Sequence, residues 1–167
     1  MVGTTKVDDI ISALSLVKHV EGGCFRETYR SKGNVSTDRK GGERSTMTSI
    51  FYLLTKEYPI CLPVINKSDH VHYFHDGSPL TYFVIDEEGH MHTAKLGLDV
   101  SKGEVPQFVV PGGCVKAAVL ESGEYALLGE AVAPGFDYQD MRQLGADEVQ
   151  SLFPELWKKV SKYMSGS

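Results

Sequence analysis

The sequence predicts a mainly β, single-domain protein of the antiparallel sandwich or barrel class, with short helices at its two ends. Three observations lead there. Between Thr46 and Val132, short runs rich in β-branched and aromatic residues alternate with turn signals such as Asp86-Glu87-Glu88-Gly89 and Glu121-Ser122-Gly123-Glu124. No helical periodicity falls between these runs, so antiparallel pairing is the way to join them. Apolar residues at helical spacing occur only near the ends of the chain.

Taken in order, Thr5-Lys6-Val7-Asp8 forms a capping box with Asp in place of Glu, and Val7, Ile10, Ile11 and Leu14 follow at helical spacing. This predicts a helix over 5–16. The Gly22-Gly23 pair then punctuates, and Cys24 to Tyr29 alternates as a strand. Ser31 to Gly42 is polar and glycine-bearing, which predicts a mobile loop long enough to serve as a lid or a dimer arm. Thr46 to Leu54 is a nearly unbroken β-rich run, hence a central strand. Pro59 and Pro63 bracket a short apolar stretch.

Three of the six histidines lie within Ser68 to Pro79, a strand that ends in an Asp76-Gly77 turn. Alternation places His70, His72 and Phe74 on one face and Val71, Tyr73 and His75 on the other. Paired imidazoles on one face read as the polar wall of a cavity or as part of a metal site; a solvated edge strand is the plainer alternative. Further strands follow at Leu80–Ile85, His90–Leu96, Gly103–Val110, Val115–Leu120 and Tyr125–Val132. After Pro134-Gly135-Phe136, helical turns start at Asp147 and at Pro154, with proline suited to a first helical position. Leu156, Trp157, Val160 and Tyr163 would face the sheet. The expected organisation is one domain over 1–167: a helix at 5–16, the β region at 19–138 and a helical part at 147–163.

Composition narrows the function. The 167 residues carry a net charge of -5, which implies no basic surface for nucleic acid. No apolar run is long enough to span a bilayer, and the start shows no signal-peptide core, so no membrane partner is expected. Cys24, Cys61 and Cys114 are odd in number and far apart, which suits free thiols in a reducing cytoplasm.

Four blocks carry a resemblance: His19-Val20-Glu21-Gly22-Gly23-Cys24-Phe25-Arg26-Glu27-Thr28-Tyr29, His75-Asp76-Gly77-Ser78-Pro79-Leu80, Val110-Pro111-Gly112-Gly113, and Val132-Ala133-Pro134-Gly135-Phe136-Asp137-Tyr138. Together the span from His19 to Tyr138 resembles the cupin superfamily and, within it, cupin family 5. The resemblance implies a double-stranded β-helix (jelly-roll) barrel around one small-molecule cavity, usually in a homodimer. It also speaks to metal. Anchored on Gly77, the superfamily's first ligand motif falls on Val64, Asn66 and His70, and the second motif's histidine falls on Lys116. Valine cannot ligate, and lysine would set a cation against the ion. No metal and no other cofactor is therefore expected.

The polar groups expected to point inward are His70, His72, Lys116 and Asn66, with Glu21 and Arg26 carried over from the first block to the mouth. Lys, Arg and His together suit an anionic or sugar-like ligand. Each has a plainer reading: Arg26 in a surface ion pair, Glu21 holding the Gly22-Gly23 turn, and Lys116 outward after a one-residue slip. The preferred function is an isomerase or epimerase of a sugar or sugar phosphate. His70 is its base, with a pKa of about 6.5, and His72 its relay. Lys116 steadies the enediolate, Arg26 anchors the anion, and Glu21 and Asn66 contact ligand. The alternatives are a non-catalytic binding protein and a metal-dependent enzyme using His70 and His72.

Overall fold

In a computed structural model, residues 5–164 are described. Helix α1 (Lys6–Ala13) opens the chain, followed by strands β1 (Val17–Lys18), β2 (Cys24–Arg30), β3 (Asn34–Ser36), β4 (Glu43–Ser45) and β5 (Thr48–Thr55). Next come β6 (Ile60–Asn66), β7 (Asp69–Gly77), β8 (Leu80–Ile85), β9 (Met91–Leu96), β10 (Gln107–Val110) and β11 (Val115–Val119). Strands β12 (Tyr125–Ala133) and β13 (Met141–Gln143) precede α2 (Ala146–Leu152) and α3 (Pro154–Met164). Two antiparallel sheets result, ordered β1-β2-β5-β12-β7-β10 and β13-β6-β11-β8-β9, with β3 and β4 forming a separate ribbon. The mainly β jelly roll expected from the sequence is present. Its two sheets pack face to face and do not close into a single hydrogen-bonded barrel.

Burial explains the strand sequences. Val115, Ala117 and Val119 of β11 face α2 and α3 together with Phe83, Ile85, Val149, Leu156 and Val160. Ala118 and Leu120 face the first sheet, packed with Tyr52, Leu54, Tyr82, Ala126 and Leu128. The second sheet is thus covered on both sides, and every residue of β11 is buried. Lys116 shares the Ala118 side and points between the sheets, so the register slip that would turn it outward does not occur. Helix α1 covers part of the first sheet's outer face around Leu53 and Tyr125.

The capping box at Thr5 and Asp8 forms as expected, but α1 ends at Ala13 rather than at Leu16. Ser15 enters the left-handed region (φ 52°), and Leu16 drops into the core beside Cys24. The mobile loop expected at Ser31–Gly42 is also corrected. Its flanks pair as β3 and β4, and its arginines fasten it. Arg44 grips Asp140 through Nε (2.8 Å) and Nη2 (2.9 Å), while Arg39 reaches Asp140 (3.0 Å), Ser68 Oγ (2.7 Å) and the Lys67 carbonyl (2.9 Å). Pro63 lies inside β6 at a bulge: β11 pairs Lys116 with Val64 but Ala118 with Cys61. No helix among the described residues is long and apolar enough to cross a membrane.

The packing of α3 yields a direct comparison. Leu156 is fully buried, whereas Leu152 is 62 % exposed. Leu156→Ala should cost about 2–5 kcal/mol in denaturant unfolding, and Leu152→Ala less than about 0.5 kcal/mol. Equal losses at the two sites would contradict this packing.

Candidate functional site

A cavity of about 520 Å³ opens between the sheets. Its inner wall is built by register. Glu130 of β12 lies directly opposite His72 of β7, and Val132 lies opposite His70, so the carboxylate and both imidazoles share one face. Lys116 arrives from the other sheet. Its Nζ donates to Glu130 Oε2 (3.2 Å) and to His70 Nδ1 (3.1 Å). His70 Nδ1 lies 3.3 Å from Glu130 Oε2, and His72 Nδ1 lies 3.3 Å from Oε1.

The charge states follow from burial and these contacts. Burial alone would lower the Lys116 ammonium, but Glu130 first, with Glu21 adding to it, outweighs burial and raises its pKa, so it stays charged. Burial would raise the Glu130 carboxyl, yet the Lys116 ammonium first, and His72 after it, hold it well below the usual carboxylate range. Burial first, and the Lys116 ammonium second, push His70 from 6.5 down to about 4. The expectation that His70 is a base of near-neutral pKa is thereby corrected. Because a charged Lys116 can only donate, His70 Nδ1 accepts, and its proton sits on Nε2. That Nε2 has no partner among the described residues.

The cavity also gathers residues from the first sequence block. Glu21 is only 7 % exposed, receives the Cys61 thiol (3.4 Å), and forms no ion pair within 4 Å among the described residues. Burial keeps that thiol protonated. His19, lowered by burial, and the aromatic rings of Phe25 and Tyr52 complete the wall. At the mouth stand Glu27, Arg30, Phe136, Asp137 and Tyr138. Arg30 grips Glu27 through Nε (2.9 Å) and Nη2 (2.7 Å) and also reaches the Phe136 carbonyl (3.2 Å).

The structure sorts the residues expected from sequence. His70, Lys116 and Glu21 meet at the cavity. His72 is fully buried behind it, stacked on Phe108 with ring centroids 5.0 Å apart and with the Tyr82 hydroxyl 3.3 Å from Nδ1. Asn66 does not line the cavity; it borders a small void behind His70 and Lys116, with Oδ1 accepting from the Ser68 amide (2.9 Å). Arg26 is exposed between the inward-facing Phe25 and Glu27, so it lies on the outer face opposite Phe51. A bulge between Glu27 and Tyr29 brings Arg30 to the mouth instead. Glu130 escaped the sequence reading. Its signal was an acid on the apolar inward series Ala126, Leu128, Val132.

The family model described as "Cupin superfamily (DUF985)" matches residues 8–144. The chain belongs to cupin family 5. An uncharacterised Saccharomyces cerevisiae protein is 35% identical over 162 residues, covering 89% of this chain and 80% of the yeast one. A Shewanella oneidensis protein of known structure is 34% identical with a TM-score of 0.85, covering 95% of this chain and 97% of that one. A hypothetical protein from Leishmania major is 30% identical with a TM-score of 0.82, covering 90% and 94%. Bacillus subtilis oxalate decarboxylase shares the fold alone, at 17% identity and a TM-score of 0.54, covering 87% of this chain and 34% of that one.

Metal centres occur in that fold, as the Mn(II) centres of the decarboxylase show. In this cupin, His70, His72 and Glu130 offer donor atoms within 4.8 Å of one another. They do not fit a resident ion, because the Lys116 ammonium already sits against two of the three donors. A divalent cation there would meet a like charge in a buried setting. The second candidate group, Asp86, Glu88 and His90, is largely exposed at a turn.

The pKa of His70 sets a stability window. As pH falls through 6.5 the unfolded chain takes up a proton that the folded chain refuses until about 4. This contribution is complete above 6.5, is lost as pH falls, and amounts to at most about 3 kcal/mol. His19 and His72 shift the same way. Calorimetric scans should show the melting temperature falling across this window, less steeply for His70→Gln. A flat profile would contradict the neutral imidazoles.

Proposed function

We propose that this cupin is an isomerase or epimerase of a sugar-like substrate, moving a proton next to a carbonyl. The observation that carries this reading is the inner wall. It joins an unpaired carboxylate (Glu21), a neutral imidazole (His70) and a buried ammonium (Lys116) on one cavity. Such a reaction needs a group to accept the proton and positive or donor groups to stabilise the enediolate oxygen. Glu21 takes the first role. Lys116 supplies the positive charge for that oxygen, and His70 beside it stays neutral, so it adds no competing charge. Glu130 holds Lys116 in place and His72 backs Glu130.

The test is solvent deuterium incorporation at the carbon next to the carbonyl, across a panel of aldoses and ketoses. Glu21→Gln should lower turnover by about two to four orders of magnitude with little change in apparent KM, and His70→Ala by a smaller factor. If His70→Ala abolishes exchange while Glu21→Gln does not, the roles are reversed. A second reading has its own support: both cavity cations are held by carboxylates, as in a fixed binding pocket. Saturable sugar binding without any exchange by the wild type would establish the non-catalytic binding protein instead.

We also propose a homodimer. Beyond Phe25, β2 has no strand on the side away from β5 among the described residues, which leaves a pairing edge from Arg26 to Arg30. Light scattering should give twice the chain mass at micromolar concentration; a monomer mass would end this proposal.

A further inference from the structure

We propose that the cavity selects an uncharged, hydroxyl-rich molecule and turns away phosphate esters and carboxylates, with Glu27 setting that preference at the mouth. This deepens the function proposed above, on which it relies for the sugar-like class of the substrate. The charges on the walls carry it. Four carboxylates, Glu21, Glu27, Glu130 and Asp137, line the cavity against two cations, Lys116 and Arg30. The two lining imidazoles, His19 and His70, are lowered by burial and add no positive charge at neutral pH. The cavity therefore holds an excess of negative charge, which narrow low-dielectric walls concentrate.

Neither cation offers an anion a free pair of N–H groups on two nitrogens. Lys116 Nζ is shared between Glu130 and His70, at 3.2 Å and 3.1 Å. Arg30 would be the natural phosphate fork, since guanidinium binds phosphate through paired N–H groups. Glu27 already takes Nε and Nη2, and the Phe136 carbonyl shares Nη2. An anion entering here would meet Nη1 alone, and to gain a paired grip it would have to displace Glu27 and leave that carboxylate without its partner.

What the cavity lacks is hydrogen-bond donors for its own acceptors. Glu21 is more than nine-tenths buried, and among the described residues its side chain meets only one donor, the weak thiol of Cys61. A buried carboxylate met only by a thiol is costly, and ligand hydroxyls would satisfy it. Phe25, Tyr52, Phe136 and Tyr138 supply apolar surface for the carbon face of such a ligand.

The experiment is calorimetric and needs no turnover. Wild type, Glu27→Gln and Glu27→Gln/Arg30→Gln are titrated with inorganic phosphate, then with unphosphorylated hexoses and pentoses and their phosphate esters. Wild type should show no saturable phosphate binding, and it should bind unphosphorylated sugars at least about tenfold more tightly than their esters. Glu27→Gln frees the Arg30 fork and should gain phosphate binding, which the double variant loses. Tighter binding of phosphate or of any ester by wild type overturns the inference, and a Glu27→Gln variant with no gain overturns the role of Glu27. Deuterium exchange confined to phosphate esters would uphold the isomerase and overturn the selectivity. Sugar binding of the expected rank without exchange would do the reverse.

Discussion

A buried positive charge between two sheets organises this molecule. Lys116 is 4 % exposed and projects from a strand whose neighbours on both sides are apolar. Taken out of water alone, it would lose its proton or destabilise the fold. Glu130, in the facing sheet, removes that cost, and the His72 imidazole meets the carboxylate's other oxygen. Burial first, with the ammonium after it, keeps the histidines neutral, and the donors that could grip a metal face that ammonium. The charge states of Lys116 and Glu130 follow from their pairing, and those of the surrounding imidazoles and the Cys61 thiol from burial.

Much of this was legible in the residues. Period-two alternation correctly set His70 and His72 on one face, because one side of β7 must be buried and a slip would expose it. The alternation of Lys116 with Val115 and Ala117 was equally decisive once both faces of the second sheet were covered. The capping box at Thr5 and Asp8, and Pro154 at a helix start, worked because they are local hydrogen-bond chemistry and need no tertiary context.

The errors share a physical origin: irregularities in pairing that no local pattern encodes. The bulge after Glu27 exchanges Arg26 for Arg30 at the mouth, and strict alternation cannot see it. Pro63 hid a strand because proline inside an apolar run normally argues against one, whereas here a bulge opposite β11 accommodates it. His70 kept an ordinary pKa in the sequence reading because burial and the Lys116 charge appear only when the sheets face each other. The loop at Ser31–Gly42 looked mobile because the acid that fastens it, Asp140, lies about a hundred residues away.

That fastening reaches the entrance of the cavity. Asp140 closes the 3-10 turn that begins at Tyr138, and the Phe136 amide is tied to Thr48 Oγ1 (2.9 Å) while the Gly135 amide is tied to the Ser45 carbonyl (2.7 Å). The doorway residues Phe136 and Tyr138 are thus clamped by Arg39, Arg44 and the end of β4, none of which lines the chamber. Two of the rings on the chamber's wall are therefore held in place by residues that never touch the chamber. The shape of the entrance thus depends on a salt-bridged cluster at Asp140 that a comparison of lining residues alone would miss.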